Sequence, residues 1–160
     1  VQTEVRSNND HYSGRPGTKA RVFDLNAAPN PSRGRSVVPI VKTDIVVGNM
    51  QIMNNGGERQ LHSHTGMDGF WMVLKGKVRF YGPEQDTVSA ELGPMQGIFI
   101  PRNVPYWFET VGDEQAHILQ VEAVDNRVEN KFIAHGPRVP GSGPAPREFL
   151  AGEGPTNAIV

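Results

Sequence analysis

The sequence predicts an all-β domain, a sandwich or barrel of short strands with an irregular arm at each end, and three observations predict it. Between residues 37 and 125, short runs rich in Val, Ile, Phe, Trp and Tyr are broken by Gly, Pro, Asn and Asp, the composition of strands and turns. No long window carries a sustained i, i+3, i+4 apolar stripe, so helix is expected only as a turn or two after residue 125. Residues 136–155 hold five Gly and five Pro, which excludes both helix interior and central strand.

Taken in order, residues 1–36 mix Asn, Ser, Gly, Pro and Arg around one short apolar cluster, Val22 and Phe23, and read as an extended N-terminal arm. The barrel is expected over 37–125, with strands at 37–47, 49–53, 60–64, 69–74, 76–82, 87–92, 97–100, 105–110 and 115–124. Residues 54–57 (NNGG), 82–86 (GPEQD) and 111–114 (VGDE) supply turns between them. The remainder, 126–160, reads as a Gly/Pro-rich C-terminal arm that Phe149 and Leu150 anchor to the barrel or to a second subunit. At 160 residues the chain suits one domain.

Charge and composition narrow the function classes. Sixteen basic against seventeen acidic side chains leave a net charge of −1, too little for a global attraction to nucleic acid or anionic lipid. A small-molecule partner is expected instead. Residues 1–36 carry six basic and three acidic groups and 37–125 carry six and eleven, scattered enough to serve solubility. With no cysteine, thiolate metal sites and thiol nucleophiles are excluded, leaving His, carboxylate and hydroxyl chemistry. The longest apolar run, Phe70 to Leu74, is far shorter than the roughly 20 residues of a membrane span, and a cytoplasmic protein is expected. No phosphate-binding loop, dinucleotide fingerprint or nucleophile elbow is present.

The segment from 56 to 82, GGERQLHSHTGMDGFWMVLKGKVRFYG, carries the chemistry. Side chains two apart on a strand share a face, with Cα atoms about 6.6 Å apart, so His62 and His64 can point at one ion. Gln60 precedes them on that face. A pair of neutral imidazoles suits Fe, Zn, Ni, Cu or Mn.

This segment resembles the first cupin motif: Gly56, His62, His64 and Gly76 fall in register, and Trp71 and Val73 take its inward apolar positions. Residues 92–121 (LGPMQGIFIPRNVPYWFETVGDEQAHILQV) resemble the second motif through Pro101, Val104, Pro105, Gly112 and Asp113. The resemblance spans residues 45 to 124 and implies a single-domain, jelly-roll-like cupin barrel. It also implies four metal ligands, of which two are absent: Gly69 stands at the glutamate position, with Asp68 one residue earlier, and Tyr106 at the second motif's histidine. Met95 and Asn103 replace the second motif's two glycines. Asparagine tolerates the left-handed backbone region, whereas methionine there has no explanation in the sequence.

Several residues could complete the site. Tyr106 could bind as phenolate or act as general acid or base. His117, on a strand where Leu119, Val121 and Ala123 share its parity, could be a third histidine ligand on the core-facing side. Asp68 could turn inward between flanking glycines, Gln60 could add an oxygen donor, and Trp71 and Phe108 could wall the pocket. Three functions follow: a small-molecule enzyme with a mononuclear metal on His62 and His64, acting as dioxygenase, lyase or isomerase on an apolar or aromatic acid or carbonyl compound; a metal-free acid–base isomerase in which His62, His64 and Tyr106 move protons; or a ligand-binding module without turnover. A homodimer in which residues 20–40 cross to the partner would cover sheet edges.

Overall fold

The computed structural model describes residues 22–31 and 34–139. Expectations for residues 1–21 and 140–160, the anchor at Phe149 and Leu150 among them, fall outside that range.

The described chain is all-β, as predicted. Its ten strands are β1 (Arg35–Lys42), β2 (Val46–Met53), β3 (Gly57–His64), β4 (Met67–Lys75), β5 (Val78–Tyr81), β6 (Val88–Leu92), β7 (Gly97–Ile100), β8 (Tyr106–Thr110), β9 (Ala116–Val124) and β10 (Phe132–Ala134). They form two five-stranded antiparallel sheets, ordered β1-β2-β9-β4-β7 and β10-β3-β8-β5-β6. This is a jelly-roll arrangement of two facing sheets, not one ladder closed into a barrel.

Two expectations are corrected. The run 37–47 is not one strand: it turns after Lys42, where the Thr43 hydroxyl accepts hydrogen bonds from the Ile45 and Val46 amides at 3.2 and 3.1 Å. A hydroxyl-based turn needs neither Gly nor Pro, so the breaker signal is missing from Lys-Thr-Asp. After residue 125 there is no helix among the described residues. The chain instead returns as β10, which pairs Phe132 with His64 and Ala134 with His62.

Each face of the first sheet buries its own apolar cluster. Between the sheets lie Met53, Trp71, Val73, Val78, Phe80, Ile100, Tyr106, Phe108, Ala116 and Ile118. On the outer face Val38, Ile40, Met50 and Ile52 pack with Leu119, Leu74 and Val41, and with Leu25 and Ala28 at a single 3-10 turn, Leu25–Ala27. Strand β9 therefore presents apolar residues in both directions.

The replaced glycines keep a glycine-like backbone. Met95 has φ 67° and Asn103 φ 66°, both left-handed. The Met95 amide donates to Val73 O at 2.8 Å, and the Asn103 amide donates to His64 O at 2.8 Å, tying the loop after β7 to the histidine strand.

Candidate functional site

The site forms where β3 passes between β10 and β8. On β3 the alternation of the strand puts Glu58, Gln60, His62 and His64 on one parity. The pairing with β8 is irregular here, the four steps from Glu58 to His62 lying opposite the two from Phe108 to Tyr106. Such bulges re-aim side chains near functional sites.

His62 is fully buried, and its Nδ1 lies 2.6 Å from Gln60 O. That carbonyl can only accept, so Nδ1 carries a proton and Nε2 is the nitrogen turned toward Glu58. Glu58 Oε1 approaches Nε2 to 3.2 Å without hydrogen-bonding geometry. The His62 ring stacks on Phe132 (centroids 4.6 Å, planes 12° apart) and meets Tyr106 at 4.5 Å and His64 at 5.3 Å. Trp71 closes the cluster, 4.9 Å from Tyr106.

Four buried polar atoms of this aromatic cluster, His62 Nε2, His64 Nδ1, Trp71 Nε1 and Tyr106 OH, have no hydrogen-bond partner among the described residues. Buried polar groups are rarely left so, and four in one place make this cluster the candidate site.

A polar network runs behind the rings. Arg35 Nε donates to Gln51 Oε1 at 3.1 Å, Gln51 Nε2 donates to Gln120 Oε1 at 2.7 Å, and Arg35 Nη2 lies 3.8 Å from Glu58 Oε2. Glu122, only 4% exposed, follows Gln120 by two residues on the inner face of β9.

The electrostatics separate the two carboxyls. Burial acts to raise Glu58, but His62, Arg35, His64 and a hydrogen bond from Gln51 outweigh it and hold the group below its ordinary value. Burial pushes Glu122 up to about 7, with Glu58 adding to the shift while Gln120 and Lys42 oppose it. Burial, helped by His62 and opposed by Glu58, lowers His64 to about 4, so its imidazole is neutral. The Tyr106 phenol is driven well above its usual value by burial and then by Glu58 and Glu122, with Arg35 opposing.

Of the residues singled out in the sequence, the fold brings His62, His64, Tyr106 and Trp71 together. Gln60 takes part through its carbonyl, while its side-chain amide donates to Gly136 O at 3.4 Å. Phe108 packs deeper, against Phe80 at 5.1 Å and Tyr106 at 6.5 Å. Asp68 is not part of the site: it pairs with Arg102, Oδ2 to Nη2 at 2.8 Å, and accepts from the Arg102 amide at 2.9 Å. That ion pair and hydrogen bond hold Asp68 below its ordinary value.

His117 is not there either. It pairs with Ile52 and Lys75 on the outer face of the first sheet and lies 2.7 Å from Gln115 Oε1, while its neighbours Ala116 and Ile118 point inward. Parity is reversed relative to the reading from Leu119, Val121 and Ala123, because the outer face also carries an apolar cluster, against which the partly buried Leu119 packs.

Glu58, Arg35, Gln51, Glu122 and Phe132 were not anticipated. Glu58 shares the histidines' parity, four residues before His62, which was a usable signal. Phe132 arrives on a three-residue strand that has none.

A metal centre on the four positions of the cupin motifs does not fit these residues. Gly69 has no side chain, Tyr106 stands where the motif has its histidine, and no three His, Cys, Asp or Glu side chains among the described residues come together to share an ion.

Comparison with known proteins agrees with the fold. Residues 49–122 match the family model for the cupin domain. The structure is similar to TT1209 from Thermus thermophilus (23% identity, TM-score 0.56, covering 64% of this chain and 96% of that one). It is also similar to a double-stranded β-helix protein from Klebsiella pneumoniae subsp. pneumoniae (19%, 0.60, 74% and 100%). A third is the polyketide cyclase RemF from Streptomyces resistomycificus (18%, 0.60, 78% and 91%). No curated protein matches the chain. With both motifs in register, two facing jelly-roll sheets and the matching family model, residues 49–122 are a cupin domain.

Proposed function

We propose that this cupin is a small-molecule enzyme that moves protons on a ring-bearing compound without a metal, an isomerase- or cyclase-type activity. The observation that carries the reading is the set of four unpartnered buried polar atoms, His62 Nε2, His64 Nδ1, Trp71 Nε1 and Tyr106 OH, set among aromatic rings. A guest that satisfies them must offer both acceptors and donors, and a planar ring suits the walls of Trp71, Tyr106 and Phe132.

The roles follow from protonation. His62, with Nδ1–H fixed on Gln60 O and its Nε2 lone pair beside the Glu58 carboxylate, is set to accept a proton, and Glu58 stabilises the imidazolium that results. Tyr106, a neutral phenol, donates a hydrogen bond to a developing oxyanion. His64, also neutral, offers a further donor or acceptor. One protein that shares the fold is a polyketide cyclase.

The test is exchange of the protons next to the carbonyl of 2-tetralone in D2O, followed by proton NMR, with metal content measured on the same sample. Wild-type protein should speed exchange over buffer, and His62→Ala should lower the rate by about a hundredfold. Exchange equal to buffer, or unaffected by H62A, overturns the reading, as does a stoichiometric metal that is lost in the H62A/H64A variant.

A further inference from the structure

Position 69, where the cupin motif has its glutamate, is a glycine on the inner face of β4, directly paired with Glu122 on β9. A Cβ built at Gly69 would lie 3.0 Å from Glu122 Cγ and 3.0 Å from Trp71 Cη2. Both are closer than ordinary van der Waals contact, so the space that a side chain at 69 would enter is already taken by the Glu122 side chain and the Trp71 ring. Paired residues on neighbouring antiparallel strands project to the same face. The carboxyl that the motif places on β4 thus comes here from β9, one strand across, against the ring that closes the site.

We propose that Glu122 is the acid of this site, its carboxyl replacing from the adjacent strand the one that Gly69 lacks, and that the site takes a neutral ring-bearing ketone rather than an organic acid. The proposal rests on the acid–base reading above and names its substrate class. Lys42 from β1, Glu58 from β3 and Tyr106 from β8 are the charged and titratable groups that face Glu122, with Gln120 as its hydrogen-bond partner. Arg35 stands beyond Gln51 and already faces Glu58. Among the described residues, a carboxylate guest would meet Glu58 with no uncommitted guanidinium beside the site to receive it, whereas a ketone oxygen can accept from a protonated carboxyl.

The step balances as an enolisation. The proton on the carbon next to the carbonyl passes to His62 Nε2, and the C–H electron pair becomes the C=C bond. The carbonyl π pair takes the proton of the Glu122 carboxyl as a new O–H. In a β,γ-unsaturated ketone the enol is a dienol: its O–H proton returns to Glu122, the carbonyl re-forms, the double bonds shift, and the far carbon takes the proton from His62, which gives the conjugated isomer and restores both groups.

The burial of Glu122, which raises it to about 7, supports this role, since near neutrality the group holds its proton for donation. Two measurements test it. In protein labelled with carbon-13 at the glutamate side-chain carboxyls, one resonance should titrate near 7, vanish in Glu122→Gln, and move its midpoint down in Glu58→Gln but not in His117→Ala. In the 2-tetralone assay, wild-type exchange should fall as pH rises through that midpoint; E122Q should be about tenfold slower and flat there, and Glu122→Asp should keep the falling limb. A Glu122 resonance at the ordinary carboxylate position, or one indifferent to Glu58→Gln, overturns the proposal. So does an unchanged pH profile in E122Q while H62A remains inactive, a result that leaves the acid–base reading standing.

Discussion

At the scale of single residues, Met95 illustrates how a local rule is broken and kept at once. The backbone there is left-handed, φ 67°, because the turn into β7 needs its amide on Val73 O, yet the residue is not glycine and its side chain is 78% exposed. An exposed methionine gains little packing to offset the steric conflict of its Cβ with the backbone. Met95→Gly should therefore raise stability by about 1 kcal/mol in urea unfolding, the reverse of what glycine does in an ordinary strand. Asn103 uses the same backbone region with less conflict and fixes the carbonyl of His64. The substitutions that loosened the motif at the level of letters left its shape in place.

At the scale of elements, β9 decides what the sequence can and cannot tell. Its outward set, His117, Leu119 and Val121, is as apolar as its inward set, Ala116, Ile118, Gln120 and Glu122, because an outer cluster around Met50 and Val38 covers it. Alternation fixes that the two sets differ, but it identifies the core face only when the other face is wet. Ile118→Ala should cost about 2–4 kcal/mol, as a cavity between the sheets, while His117→Ala should stay within about 0.5 kcal/mol and leave the Glu122 titration unmoved. Both are read by chemical denaturation. By contrast, the His-x-His end of the histidine strand was legible, but not its start: the strand begins at Gly57 rather than at 60 and carries Glu58 with it. What else escaped was non-local. Glu122 belongs to the site only because β9 pairs with β4 at Gly69, and Phe132 only because the chain returns beside β3.

For the whole molecule, two buried groups pull stability in opposite directions with pH. His64 titrates near 4 when folded against 6.5 when unfolded, so its contribution is complete above 6.5 and is lost as pH falls toward 4. Glu122, raised from 4.5 to about 7, does the reverse: its contribution is complete below 4.5 and is lost as pH rises through 7. Between them the wild-type dependence is partly cancelled. The stability of E122Q relative to wild type should therefore increase with pH from about 4.5 to 7, by about 1–3 kcal/mol in total, measured as the difference between the two denaturation midpoints at each pH. A constant difference would mean that Glu122 is ionised throughout.

The position of β10 has a consequence for where the functional unit ends. Three residues, Phe132–Ala134, are the outer neighbour of the histidine strand, and without them β3 would be the edge of its sheet. The backbone of His62 and Ser63 would then face outward as an open template for another chain's strand, beside imidazoles stripped of their Phe132 cover. The stretch that matches the cupin model, 49–122, thus holds His62 and His64 without the strand that covers their edge. The returning segment covers the edge of the histidine strand within the described chain.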